Sequence, residues 1–417
     1  MSLRLMLTLA ACVLLAPACR RVEEAPKTTA WKRASGKTWL MHYMPWYETP
    51  EVRGRWGSHW TGHEKQHQPD RLNADNKPDI WSHYHPLIGL YDSTDPKVLE
   101  CQLLQMKIAG IDGVVVDWYG IGKAADYPDI HQAARAMFDA AGRNAMTFSV
   151  CYEDRSAAYM EQLKLLKPDQ VRGHLTETLQ WMDKEWFRHP HYHRIGGRPL
   201  MLNFGPMHIK DASVWSAAFG SVPDRPMFFG LHHLWKSAGA DGGFMWVNQS
   251  VWDGSPDETA IGQRLQMEYD HASTDPAKLM VSAYPGFRDV YQKPHPVLDH
   301  RGGATMGESL RVCMKGPWEN VQFITWNDYG EGTMIEPTHE FGYTFLEVIQ
   351  DERRKELGSS FPFSKDDLRL PARLLDFRRK NPSSATVADG IARMIHQGDA
   401  SAARAELDRV SPATPQS

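Results

Sequence analysis

The chain alternates short apolar runs with longer amphipathic stretches. Eight runs stand out, at residues 39–47, 112–120, 146–154, 198–205, 227–233, 241–247, 278–287 and 320–328. Most are apolar at both odd and even positions, as in Gly113-Val114-Val115-Val116 and Pro199-Leu200-Met201-Leu202. A strand apolar at both parities is covered on both faces, which is the habit of parallel sheets. Helical spacing predicts helices over 97–109, 130–141, 157–186, 257–271, 307–314 and 343–357. The first begins after Ser93-Thr94-Asp95-Pro96, a polar cap followed by a first-turn proline, and ends near Gly110. Only residues 234–240 separate the fifth and sixth runs, which leaves room for a vestigial helix. Eight strands alternating with helices predict an α/β fold, a (β/α)8 TIM barrel.

Two segments depart from this rhythm. Residues 48–95 form a long first βα loop rich in Trp, His, Gly and Pro, and its Trp56, Trp60, Trp81, Tyr84 and Tyr91 favour order. After Pro362 the pattern turns to short helices over 370–380, 386–396 and 400–410. At the start, Arg4 precedes an uncharged apolar stretch, 5–15, too short for a bilayer span of about 20 residues. Leu15-Ala16-Pro17-Ala18-Cys19 then resembles a bacterial lipobox. The expected organisation is a signal peptide over 1–19, a tether over 20–37, a catalytic barrel over 38–360 and a helical appendage over 361–417. Cys19 is the expected lipid anchor, with the mature protein exported to the periplasm or cell surface. Ordinary signal cleavage without lipid is the alternative.

Composition sharpens the chemistry. A net charge of −4 without a basic stripe argues against nucleic-acid binding. The 15 Trp among 417 residues invite sugar stacking, although Trp also fills large cores. Of five cysteines, Cys101, Cys151 and Cys313 are widely spaced and fit neither a zinc pattern nor a disulfide framework. No His-x-x-x-His helix appears, so neither metal nor another cofactor is expected. The expected partner is an oligo- or polysaccharide substrate, and the expected state a monomer.

Barrel sites lie at the C-terminal ends of the strands. Carboxylates and aromatics gather there: Tyr43 and Trp46 after the first strand, Asp117 and Trp118 after the second, Glu153 after the third. His232, Trp246, Tyr284 and Arg288 follow the fifth, sixth and seventh, and Trp60 lies in the first loop. The eighth ends Trp326-Asn327-Asp328-Tyr329-Gly330-Glu331-Gly332, with Glu336 just beyond. Glycosidic cleavage needs a proton donor and a second carboxylate as base or nucleophile. Asp328 and Glu331, on one glycine-bearing turn, are the expected catalytic pair. Capping a helix or pairing with an arginine is the structural alternative.

At these residues the chain resembles a known clan. Ile324-Thr325-Trp326-Asn327-Asp328-Tyr329-Gly330-Glu331 is similar to the signature of glycoside hydrolase family 71, the α-1,3-glucanases. Gly332-Thr333-Met334-Ile335-Glu336-Pro337 is similar to family 99, the endo-α-mannosidases. So are Tyr43-Met44-Pro45-Trp46-Tyr47, Tyr84-His85-Pro86-Leu87-Ile88-Gly89-Leu90-Tyr91 and Asp117-Trp118-Tyr119. The similarity covers roughly residues 38 to 345. It implies a metal-free barrel with Glu331 as general acid. It also implies that Asp328 is the base of the first family, standing where the second has Glu. Family 99 enzymes use the substrate's 2-hydroxyl as internal nucleophile, assisted by that Glu. Asp is one methylene shorter and leaves room for water, which favours inversion, where carboxyls stand about 6.5–9.5 Å apart. A retaining endo-α-mannosidase route, an inactive glycan-binding barrel and a biosynthetic transferase are the competing readings.

Overall fold

The computed structural model describes residues 36–247, 260–272, 275–292 and 297–412. The expected signal peptide, Cys19 and most of the expected tether lie outside these residues. Eight parallel strands close into a barrel: β1 (Thr38–Tyr43), β2 (Gly113–Trp118), β3 (Thr147–Tyr152), β4 (Arg198–Asn203), β5 (Met227–Leu231), β6 (Gly242–Phe244), β7 (Leu279–Ala283) and β8 (Asn320–Phe323). Each falls inside one of the eight apolar runs, except that β1 starts one residue ahead of the first, at Thr38. Thr38 pairs with Asn320 where the last strand meets the first, and Val150 pairs with Met201 between β3 and β4.

Two-sided burial explains the unbroken apolar runs. One parity fills the barrel interior, where Leu40, Val115, Leu202, Phe244 and Met280 pack together. The other parity, with Trp39, Met41, Val114, Val116 and Met201, faces the helices. Neither face meets water, so neither needs polar residues until the strand ends.

Helix α1 (Pro96–Ala109) begins and ends as its caps predict. The Asp95 carboxylate accepts from the Lys97 amide, and Gly110 turns the chain out at φ 92°. The long helix expected over 157–186 is instead broken. It falls into two pieces, Arg155–Gln162 and Val171–Met182, the second running on into a wider turn over Asp183–Phe187. Pro168 is the cause: Lys167 before it is held extended at ψ 153°, and Lys164 adopts a positive φ. A further helix, Ala212–Phe219, capped by Asp211, carries no clear period in the sequence, because eight residues give too few turns. Residues 234–240 form turns only.

Of the three C-terminal helices, Leu370–Lys380 and Ala385–His396 pack against α1, Ala400–Val410 packs on those two, and all three share the barrel's outer core. Arg378 grips Glu100 on α1 through two hydrogen bonds of 2.8 and 3.0 Å. No helix among the described residues is long and apolar enough to cross a membrane.

Candidate active site

The turn after β8 is built by its own polar residues. The Thr325 hydroxyl accepts from the Asp328 amide at 2.8 Å. The Asp328 carboxylate accepts in turn from the Glu331 amide at 2.9 Å, and Gly332 reverses the chain at φ 64°. Asn327 ties the turn to the end of β1: its side chain accepts from the Met44 amide at 2.8 Å and donates to the Met44 carbonyl at 2.9 Å. From the other side, the Arg288 and Val290 amides donate to the carbonyls of Glu331 and Gly330, at 2.7 and 2.9 Å. The turn that carries the two carboxyls is therefore held from three directions.

Both carboxyls line a cavity of about 770 Å³ at the barrel mouth, together with Trp46, Asp117, Glu153 and Trp246. Six of the residues expected from sequence thus meet in one place. Opposite signs of charge are scarce among the lining residues, where Arg155 is the only arginine. Burial pushes Asp328 up to about 7, with Asp289 adding to the rise. Burial, then the charges of Asp328 and Asp289, raise Glu331 well above the usual carboxylate range, while a hydrogen bond with Trp246 opposes this. Glu153 rises to about 7 and Asp117 also rises, in both cases chiefly through burial. One oxygen each of Asp117 and Glu331 is buried without a hydrogen-bond partner. Buried polar atoms are normally satisfied, so these two mark a place where a ligand or water completes the structure. Trp46 supplies an aromatic wall, stacked flat on His59 at 4.2 Å.

The other expected contacts lie elsewhere, and strand parity explains those on β1 and β2. Along β2, Asp117 points into the mouth, so Trp118 points to the helices, where it packs on Trp181 and Trp186 and donates to His131. Tyr43, next to inward-facing His42, likewise donates outward to Gln102. Trp60 is buried against Tyr47 and donates to the Tyr91 carbonyl. Tyr284 and Trp326 are fully buried away from the cavity, and Asn327 is the brace already described. Glu336 accepts from Gln102, Tyr91 and Tyr329 at 2.7 to 2.8 Å, so it organises the first loop rather than the mouth. His232 faces Glu268 at 3.6 Å, and the Arg288 side chain is exposed.

Sequence reading missed His59, His63, Asp126 and Tyr291, all of which line the cavity. The first two come from the long loop, whose fold carries no period. His59 was detectable only as the neighbour of Trp60 on a single helical turn.

Among the described residues, His42, Asp117 and Cys151 place potential metal-ligand atoms within 4.8 Å of one another, all buried beneath the carboxyls. Burial raises Asp117 and Cys151 and lowers His42 to about 4, so all three favour uncharged forms. Holding a cation there would require two of them to give up protons at that depth. The arrangement fits an uncharged polar floor better than a metal centre.

The comparisons with known proteins follow the same line. The model of glycosyl hydrolase family 99 matches residues 37–224. The chain is 33% identical over 323 residues to the mouse (Mus musculus) glycoprotein endo-alpha-1,2-mannosidase-like protein, covering 70% of this chain and 68% of that one. It is 33% identical over 99 residues to the rat (Rattus norvegicus) glycoprotein endo-alpha-1,2-mannosidase, covering 20% of this chain and only 21% of that protein. The matched segment therefore spans about a fifth of the rat protein. In structure it resembles the GH99 endo-alpha-mannosidase from Bacteroides thetaiotaomicron, with a TM-score of 0.55 at 18% identity over 76% of this chain and 98% of that one, a likeness of fold. By its similarity to the mouse protein over most of both lengths, the chain belongs to glycosyl hydrolase family 99.

Proposed function

We propose that this protein hydrolyses an α-linked glycan, of α-mannan or α-glucan type, with Glu331 as general acid and Asp328 as general base. The observation that carries the reading is the shared turn: two carboxyls three residues apart line one cavity, and their environments push both upward. Glu331, raised further by the neighbouring Asp328 charge, keeps its proton for the departing glycosidic oxygen. Asp328 ionises first and activates a water. The endo-α-mannosidase names of the relatives favour α-mannan as the first substrate to try.

The shorter Asp328 favours inversion. The retaining route through the 2-hydroxyl is the second reading, favoured by family membership itself. The test is reducing-end release from a panel of α-linked polysaccharides, followed by NMR of the first-formed anomer. An inverted product is expected; a retained one replaces this mechanism with the second. Catalytic silence across the panel, with binding intact, would support a glycan-binding barrel instead.

Export is part of the proposal. Its support is the apolar stretch 5–15 and the lipobox-like run ending at Cys19. Metabolic labelling with a fatty acid should mark the native chain, and Cys19→Ser should abolish the label. An unlabelled, unprocessed native chain in the cytoplasm would remove this part.

A further inference from the structure

The first βα loop builds a second cavity beside the catalytic one. It holds about 300 Å³, and Glu48, Arg55, Trp56 and Lys65 line it away from the barrel mouth. Ser58, His63, Ala125 and Asp126 line both cavities, so the two meet along one boundary. A row of rings leads from one to the other. His59 lies flat on Trp46 at 4.2 Å, and His63 meets His59 edge-on at 6.2 Å. Farther along, the Trp56 indole donates to Asp70 at 3.0 Å, which fixes its ring. Gly57 lets the loop close on itself. Its amide donates to the Glu48 carbonyl at 3.1 Å, and an added methyl would stand 3.0 Å from the Glu48 side chain.

The lining selects the kind of occupant. Two acidic side chains, Glu48 and Asp126, face two basic ones, Arg55 and Lys65, so the charges offset and a free ion gains little. Arg55 stands 2.8 Å from Glu48 and 2.7 Å from Asp129, yet one Glu48 oxygen is buried without an aligned hydrogen bond. Donors and acceptors beside a fixed aromatic ring match a neutral ring that carries hydroxyls.

We infer that this side cavity is a further sugar subsite, and that a glycan bound at Asp328 and Glu331 continues past His63 into it. One hexose unit of the chain lies against Trp56. Its hydroxyls donate to Glu48 and Asp126 and accept from Arg55 and Lys65. The protein thereby selects longer chains over short ones. The length of the first loop has its reason here, since loops of that size usually serve a function. The inference rests on the reading of the main cavity as a glycan site, and on no particular route of bond cleavage.

Binding is measured by calorimetry on the full chain carrying Glu331→Gln, with α-linked manno- and gluco-oligosaccharides from the disaccharide upward. Affinity should rise with length and gain a last step of about tenfold when the chain reaches the side cavity, the scale of one stacked ring and its hydrogen bonds. Trp56→Ala should remove that step, so that the longer oligosaccharide binds no better than the next shorter one. Ser58→Phe, at a partly exposed position on the shared boundary, should do the same by filling the passage, and it serves where Trp56→Ala does not fold. Affinity without that last step overturns the inference and leaves the carboxyl pair standing. So does a loss in the variants that is equal for short and long oligosaccharides. Hydrolysis is followed separately in the wild type, where length-dependent binding without turnover removes the proposed reaction alone. Absence of binding by both series removes the glycan reading and this inference with it.

Discussion

Two carboxyls five residues apart, Glu331 and Glu336, have opposite surroundings. Both are drawn from the segment after β8, and burial raises both. Glu336 is only 1% exposed and accepts three hydrogen bonds, from Gln102, Tyr91 and Tyr329. Glu331 lines the cavity and leaves one oxygen buried without a partner. The same contrast recurs after β3. Asp154 accepts from the amides of Met207, His208 and Ile209, whereas its neighbour Glu153 faces the cavity. A buried acid saturated by protein donors builds the scaffold; one left unsaturated at a barrel mouth is available to a substrate.

The largest effect expected from that contrast is catalytic. Asp328→Asn should lower kcat/KM by at least about 10²-fold on an α-linked glycan while leaving the thermal midpoint nearly unchanged. A similar loss from Glu336→Gln at full stability would erase the distinction. Glu336→Gln should act on folding instead. Its NH2 would replace one of the two accepting oxygens and oppose either the Gln102 donor or those of Tyr91 and Tyr329, costing about 1–3 kcal/mol in chemical denaturation. Asp289→Asn should have a smaller, electrostatic effect. The Asp289 charge adds to the rise of both Asp328 and Glu331. Removing it should move both limbs of the pH profile of kcat/KM to lower pH. Limbs that stay in place would detach Asp289 from the pair.

The smallest effect is on stability against pH. Glu153 is raised in the folded state from 4.5 to about 7, so the native protein binds its proton more tightly than the unfolded chain. That contribution is present below pH 4.5 and is lost as pH rises through about 7. Glu153→Gln should therefore flatten the decline in thermal midpoint over this window. A steeper decline in the variant would contradict the sign.

The fold was legible because two-sided burial writes itself into a strand: Val114, Val115 and Val116 are apolar at every position since neither face meets water. Helix boundaries were legible where caps spoke, as at Asp95 and Gly110, and failed where Pro168 broke a continuous amphipathic stretch. The catalytic turn was legible as a local motif. The rest of the cavity was not, for two physical reasons. Strand parity decides which of two adjacent polar or aromatic residues faces the mouth, so Asp117 lies inside and Trp118 outside. Loop residues such as His59 and Tyr291 reach the cavity through tertiary packing, which no local spacing encodes.

The central claim is that Glu331 donates the proton to the departing oxygen. It is tested most directly by comparing Glu331→Gln with the wild type on two substrates, an unactivated α-linked oligosaccharide and an aryl glycoside of the same sugar with a leaving group that needs no acid. The account predicts a loss of at least about 10²-fold on the first and a much smaller loss on the second. Equal losses on both, or near-normal turnover of the oligosaccharide, would contradict it.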